Sequence, residues 1–534
     1  MGAVQTSGGE TVTRTQARWL WLSLCTLALA AVRLSLLTFD TDLSAAFSHD
    51  SAYVAIVARN LINGLGWVND ASWLVFLHPA SLPMPYRNAN PLYPLFTALA
   101  AKTFGMGVVR AGLLVAAMAD VALLPASFLL VSHWIKSTRT ALWISVAVAL
   151  FPSLWWDSLR MLPDSLYVAL LIGGIACLVR AENRWWAACA GILLAAAWLT
   201  RSTATLVAPA IVLYALAIWG WRKALPRLAL MAVVALAVAL PWLMQSARIW
   251  GSPFGSDGSY AAFQDLYARS YSGSIERYWH SPIPPPSPGE LMRTDGMAVV
   301  AHTVTGIPNV FRSWLRAGWE DQYLPRLVFL LMLTGMALTW RRRLWTAPLV
   351  ASTVYGALQI GAFGVRGGSV EARYLAPLTV LAVLWSGSGV AALLAKDTLQ
   401  KLARYTLLAG VAFWIVYVPI QDAHLARQGA SQDPAFSERR RVRREISRSI
   451  THHDPTIVVD PYFYSYDTGA QALSIPYSSD SYLMSYMEQY HCRWIILSDD
   501  EIRFWKPDWP AHLPPWLRIR GAWAGNTLFE RMPY

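Results

Sequence analysis

The chain has 534 residues, of which 55% are hydrophobic and only 14% charged, with a formal net charge of +12. That balance excludes an ordinary soluble enzyme, because apolar runs near spanning length recur from Trp19 to Ile420, as in a polytopic membrane protein. Much of the positive charge lies in short loops between those runs, where it sets orientation and does not point to nucleic acid.

The spacing predicts about eleven membrane spans by the length rule of roughly 17–25 apolar residues. They fall near 19–38, 109–134, 140–155, 164–180, 185–199, 202–220, 227–244, 324–340, 345–364, 374–394 and 404–420. Arg14 and Arg18 precede the first run and no small-residue cleavage site clearly follows, so a retained anchor is expected. Every second loop is basic: Arg14/Arg18, Lys136/Arg139, Arg180/Arg184, Arg222/Lys223/Arg227, Arg341/Arg342/Arg343 and Lys396/Lys401/Arg404. This alternation places the N-terminus in the cytoplasm and the C-terminus outside. Large outer regions then cover 39–110, 245–323 and 421–534. The expected organisation is a transmembrane domain over 1–420 and an outer domain over 421–534.

The outer domain reads as a small α/β unit. Thr456–Val459 and Trp494–Leu497 are strand candidates, and Asp480–Tyr490 has helical spacing. Glu438–Arg448 is a basic helix candidate carrying Arg439, Arg440, Arg441, Arg443, Arg444 and Arg448. It reads as a solvated helix face, with anionic lipid headgroups as the alternative contact. The cysteines, Cys25, Cys177, Cys189 and Cys492, form no Cys-x-x-Cys pair, so no disulfide framework or zinc ribbon is indicated. No phosphate-loop, Rossmann, His-Glu-x-x-His or nucleophile-elbow motif occurs. The chemistry must rest on acids and bases at the outer membrane face.

The first outer loop opens with Asp40, Asp42, His49 and Asp50. Tyr53–Val68 follows as an amphipathic stretch expected to lie flat on the membrane surface. Asp50 at its start is a candidate catalytic carboxylate, with His49 and Tyr53 as candidate sugar or acceptor contacts. A simple helix cap is the alternative role for Asp50. The turn Trp155-Trp156-Asp157-Ser158 … Pro163-Asp164 holds two more acids. Asp164 alternatively serves the helix dipole as a first-turn acid. Trp155 and Trp156 are interface anchors or flat faces on which a sugar ring packs. Arg87, Arg201, Arg248, Arg366 and Arg373 lie at the same face, and guanidinium groups match phosphate oxygens. Each is alternatively a snorkelling or ion-paired arginine. Asp120 lies mid-span, where a buried acid demands a partner in the bundle or an ion path.

In the order of its parts the chain resembles the GT-C glycosyltransferases, chiefly the bacterial protein O-mannosyltransferase group, with the lipid A aminoarabinose transferase more distant. The resemblance is carried by 49–68 (HDSAYVAIVARNLINGLGWV), 90–105 (NPLYPLFTALAAKTFG), 199–213 (LTRSTATLVAPAIVL), 240–255 (LPWLMQSARIWGSPFG) and 371–378 (EARYLAPL). It implies a mainly α membrane fold with juxtamembrane outer helices. It implies Asp50 as the catalytic carboxylate, with Asp157 or Asp164 as the second-turn acid. Where many relatives carry two adjacent acids, this chain has Asp50-Ser51. By the resemblance, phosphate contacts fall to Arg87, Arg201, Arg248 or Arg373, Arg87 standing where relatives often carry lysine.

The reaction so implied is a single inverting displacement at the anomeric carbon of a polyprenyl-phosphate sugar, of hexose or pentose type. Asp50 takes the acceptor hydroxyl's proton, and arginines stabilise the departing phosphate. Metal dependence stays open: Asp50 with Asp157 or Asp164 offers oxygen ligands that suit a hard divalent cation. The acceptor is a glycan, a lipid or a protein, and the expected location is a bacterial inner membrane. The rival functions are a transporter or flippase of lipid-linked sugars, for which Asp120 is the main support, and a polysaccharide polymerase or ligase.

Overall fold

A computed structural model of the chain describes residues 7–39, 48–88, 90–135, 137–151, 154, 158–315, 329–337, 346–367, 371–394, 434–450 and 454–532. It is mainly helical. Apolar helices occupy Ser7–Phe39, Val108–Trp134, Thr138–Ala149, Asp164–Leu178, Arg184–Thr200, Ala208–Trp250, Thr346–Gly364 and Ala376–Leu394, where the sequence places spans. Gln16–Ser35, Val108–Trp134 and Ser202–Trp250 are long and apolar enough to cross a membrane, and three more apolar helices are shorter. The count of eleven therefore rests on the sequence, and the span expected at 404–420 lies outside the described residues. The long stretch Ala208–Trp250 is two helices meeting at Gly220, whose φ of 66° and ψ of 160° break the helical path. Glycine alone adopts that conformation without steric cost. The break falls just before Arg222, Lys223 and Arg227, between the two spans predicted at 202–220 and 227–244.

Val108–Trp134, Asp164–Leu178, Arg184–Thr200 and Ala208–Trp250 pack one against the next. Their contacts are lined by small residues, among them Ala116, Ala117, Ala190 and Ala197, all buried. In lipid, close approach of small residues supplies packing that apolar side chains alone do not. Asp120 is resolved by the same bundle. Arg33 Nε, from the first helix, donates to Asp120 Oδ2 at 2.8 Å, and both side chains are buried. The mid-span acid is thus half of a helix-joining ion pair.

The C-terminal region is an α/β layer around a six-stranded sheet of order β2-β5-β4-β6-β8-β7. Its strands are β4 (Thr456–Val458), β5 (Ala472–Ser474), β6 (Trp494–Ser498), β7 (Leu517–Trp523) and β8 (Asn526–Arg531). The sixth, β2 (Ala71–Ser72), comes from the first outer loop and pairs in parallel with β5. The unit predicted as 421–534 is therefore completed by a strand nearly four hundred residues upstream. A short hairpin of β1 (Val68–Asn69) and β3 (Met84–Pro85) closes the same loop.

Two expectations are corrected. The helix His49–Ile62 does not lie on a surface with one face free. Ser51 through Ala58 and Asn60 are all buried. It is packed between helices Leu92–Phe104 and Pro461–Thr468. Its polar Arg59 reaches the Ser465 and Tyr466 carbonyls at 3.3 Å and Asp70 at 3.0 Å, so even the charged side has protein partners. The basic helix, Pro434–Arg448, is not simply solvated either. Arg440 makes a bidentate pair with Asp467 (2.7 and 2.6 Å), Arg444 joins it at 2.7 Å, and buried Arg443 grips Glu501 at 2.7 and 2.9 Å. Arg441 and Arg448 remain exposed. Half of this basic face is the mortar of the outer domain.

The Asp467 carboxylate is buried beneath largely buried Arg440 and half-exposed Arg444, so removing it leaves Arg440 without its bidentate partner. Asp467→Ala is expected to destabilise the outer domain by about 3 kcal/mol. Thermal unfolding of the full chain in nanodiscs will show this as a lowered first transition, and an unchanged transition contradicts the docking role.

Candidate active site

Asp50 lies in the first turn of His49–Ile62, but it does not cap that helix. Ser48 does: its side chain accepts from the Ser51 N–H at 3.3 Å. With the cap filled, the Asp50 carboxylate turns outward and accepts from Arg373 at 2.6 Å. Arg373 stands in the short turn before Ala376–Leu394 and is also held by Glu371, with Nε–Oε2 at 2.6 Å. The Asp50 side chain is 53% exposed while that of Arg373 is 9% exposed. The carboxylate thus faces open space from a deep protein surround, and the guanidinium forms part of the wall behind it.

Tyr374 gathers more cations. The guanidiniums of Arg201 and Arg366 each lie 4.5 Å from its ring centroid, and that of Arg373 lies at 5.1 Å. An aromatic face tolerates several nearby cations because its quadrupole attracts them. Arg201 follows helix Arg184–Thr200 and is paired with Asp164, whose side chain is 1% exposed at the start of Asp164–Leu178. Arg201, Arg366 and Arg373 thus bring three segments to one ring, and Asp50 joins them through Arg373.

The charges answer one another. Burial works to raise the Asp50 carboxyl, but the charge of Arg373, then His49, the Arg373 hydrogen bond and Arg201 outweigh it and hold the carboxyl below its ordinary value. Burial lowers Arg201 to about 10, with Tyr374 opposing and the neighbouring guanidiniums assisting. Burial works to lower Arg373 as well, but Asp50, Tyr374 and Glu371 leave it raised. Burial pushes His49 down to about 4, so its ring is neutral at pH 7 despite Asp50.

A second group adjoins the first. The His49 ring packs 3.6 Å from Trp73 and 4.7 Å from Tyr462, centroid to centroid. Tyr53 lies 4.9 Å from Tyr462 and 5.5 Å from Tyr86. Asp257 is electrostatically coupled to Tyr53, Tyr86 and Tyr462. Its N–H donates to the Arg87 carbonyl at 3.1 Å. Burial raises the Asp257 carboxyl to about 7, with Arg87 partly opposing. The Arg87 guanidinium lies 5.4 Å from the Trp250 ring.

Of the residues expected from sequence, Asp50, Arg201 and Arg373 come together, and Asp164 joins through Arg201. Arg87, His49 and Tyr53 belong to the adjoining group. Arg248 is exposed in the last turn of Ala208–Trp250 and has no hydrogen bond or ion pair among the described residues. Asp157, Trp155 and Trp156 lie outside the described residues. Sequence reasoning did not single out Tyr374, Tyr462, Tyr86 or Asp257 for the site. Asp257 sits in Gly255-Ser256-Asp257-Gly258, which reads as an ordinary turn, and Tyr462 comes from the outer domain. Among the described residues no three His, Cys, Asp or Glu side chains gather as a metal cage. Asp50 and Asp164 are each committed to an arginine, which fits a cation poorly.

Comparison with known proteins supplies the architecture. No family model matches the chain, and no curated protein does. Solved structures do. The ArnT structure from Cupriavidus metallidurans bound to undecaprenyl phosphate matches with a TM-score of 0.61 at 13% identity, over 95% of this chain and 97% of that one. The oligosaccharyltransferase AglB from Archaeoglobus fulgidus, in complex with an inhibitory peptide and a dolichol-phosphate, matches with a TM-score of 0.59 at 12% identity, over 92% of this chain and 70% of that one. The chain shares the overall fold of these two structures. At this identity the likeness concerns the fold, and the site must be argued from this chain's own residues.

Asp257 gives a pH test. Its folded value is raised to about 7 from 3.8, so the folded chain holds a proton that the unfolded chain releases. Stability from this group is therefore fully present below about pH 4 and lost as pH rises towards about 7. The wild type is expected to lose more thermal stability between pH 5 and pH 8 than Asp257→Asn; equal losses contradict the burial of this acid.

Proposed function

We propose that the chain is a membrane glycosyltransferase that moves a sugar from a polyprenyl-phosphate donor to an acceptor hydroxyl at the outer face. One observation carries the reading: an exposed carboxylate, Asp50, stands against a wall of three guanidiniums gathered on Tyr374. The fold supports it, since ArnT and AglB, which share it, are solved with undecaprenyl phosphate and with a dolichol-phosphate.

The geometry suits a single inverting displacement. The donor phosphate is held by Arg373, Arg201 and Arg366, whose forks match its oxygens. Asp164 acts through Arg201 by fixing its position. The incoming phosphate shares Arg373 with Asp50 and weakens the hold on the carboxylate, so Asp50 gains proton affinity when the donor is in place. The acceptor oxygen attacks the anomeric carbon, its proton passes to Asp50, and the bond to the phosphate oxygen breaks. The arginines take up the charge that develops on the leaving polyprenyl phosphate. Arg248, exposed and apart, is left for lipid headgroups. The charge alternation supports a cytoplasmic N-terminus and an outer C-terminus.

Transport is less well supported. Its sequence basis was Asp120, and that acid is occupied by Arg33 inside the bundle.

The test is sugar transfer by the purified chain in nanodiscs, using labelled polyprenyl-phosphate sugars and a membrane extract as acceptor pool. Asp50→Asn is expected to lose at least about a hundredfold in turnover, within the range of general-base contributions, with donor binding retained. Equal transfer by both proteins removes Asp50 as the base. Movement of labelled lipid across the bilayer without transfer favours the transporter.

A further inference from the structure

The group around Asp257 contains polar atoms that the fold leaves unsatisfied. Asp257 Oδ1, Arg87 Nε, Asn90 Oδ1 and His49 Nδ1 are enclosed, and among the described residues none has a hydrogen-bond partner. Buried polar atoms in native proteins are almost always paired, with protein, water or ligand. Asp257 and Arg87 are joined through a backbone hydrogen bond, and His49 lies against Tyr462, which is coupled to Asp257. Tyr86 donates to the Asn90 carbonyl at 3.1 Å, which brings Asn90 to the same place. Their chemistry is mixed: a carboxyl and an amide oxygen accept, a guanidinium N–H donates, and an imidazole nitrogen does either. A carboxyl poised near 7 also does either around neutral pH. Beside them stand Tyr53, Tyr86 and Tyr462, which pack on one another and are electrostatically coupled to Asp257. A phosphate would want donors only. A hydrophobic chain would want none of these atoms. A polyhydroxylated ring, whose hydroxyls both donate and accept and whose C–H face packs on aromatics, fits the whole set.

Resting on the glycosyltransferase reading above, we propose that Asp257, with Arg87 and Asn90 beside it and Tyr53, Tyr86 and Tyr462 as walls, forms the subsite that holds the hydroxyls of the transferred sugar. Asp257 is then a specificity-determining residue, not a phosphate contact. The subsite adjoins the phosphate wall through Tyr462, which is coupled to both Asp257 and Asp50. A donor spanning the two places its phosphate on the Tyr374 arginines and its sugar against Asp257, with the anomeric carbon between them near Asp50. Arg87, expected from sequence to bind phosphate, is reassigned to the sugar.

The test compares two kinds of probe on the full chain in nanodiscs: undecaprenyl phosphate alone, and undecaprenyl phosphate bearing each of a set of hexoses and pentoses. The wild type is expected to bind at least one sugar-bearing probe more tightly than the bare carrier. Asp257→Asn should weaken that probe by about tenfold, the effect of losing a hydrogen bond to a charged group, and leave bare-carrier binding unchanged. Asn90→Ala, which removes a neighbouring amide, should move the same ratio and serves if Asp257→Asn fails to fold. Equal weakening of both probes overturns the proposal, as does a wild type that binds the bare carrier and no sugar-bearing probe better. A wild type that binds neither carrier overturns the glycosyltransferase reading itself.

Discussion

The ion pair between Asp50 and Arg373 joins the start of the first outer helix to a turn 323 residues later. Neither charge has this role without the other. Asp50 is released to make it because Ser48 already satisfies the helix N-terminus. Arg373 is presented to it because Glu371 and Tyr374 fix the guanidinium from the other side. The pair also sets the electrostatics of its surroundings: it holds the Asp50 carboxyl below its ordinary value, beside three cations gathered on Tyr374. A carboxylate so held is a weak base until something competes for the arginine. In the reaction proposed above, the donor phosphate is that competitor.

The helix that carries Asp50 is itself positioned by the C-terminal α/β region. It is buried between Leu92–Phe104 and Pro461–Thr468, and the latter belongs to that region. Strand β2 ties the same loop into that sheet. Trp73, just past β2, packs on His49, the neighbour of Asp50. His280, from the second outer region, continues the contact: its ring lies 5.7 Å from Trp73, and its Nδ1 is 2.8 Å from the Ile475 carbonyl beside β5. Three stretches far apart in sequence thus meet beside Asp50, through His49 and Trp73, through His280 and through Ile475.

Much of this was legible in the sequence, and the parts that were not have physical reasons. The helices of the bundle announce themselves by apolar length, and the turns by their arginines. Asp50, Arg201 and Arg373 were readable because charges at an apolar boundary are costly unless used. The helix His49–Ile62 was misread as a surface element because its alternation of polar and apolar residues matches a lipid-facing helix; its covering partner lies some four hundred residues away. The arginines of Pro434–Arg448 read as solvated because their partners, Asp467 and Glu501, lie 23 to 58 residues on, beyond the reach of helical spacing. Asp257 was invisible because a Ser-Asp-Gly turn carries no signal of burial. Only the fold couples it to Tyr53, Tyr86 and Tyr462.

The most direct test of the account is a cryo-electron microscopy map of the full chain in nanodiscs with undecaprenyl phosphate. The account predicts phosphate density within hydrogen-bond reach of Arg373 and Arg201, beside Tyr374, with the contact between Asp50 and Arg373 lengthened from 2.6 Å. Phosphate density elsewhere, with that pair intact, would contradict it.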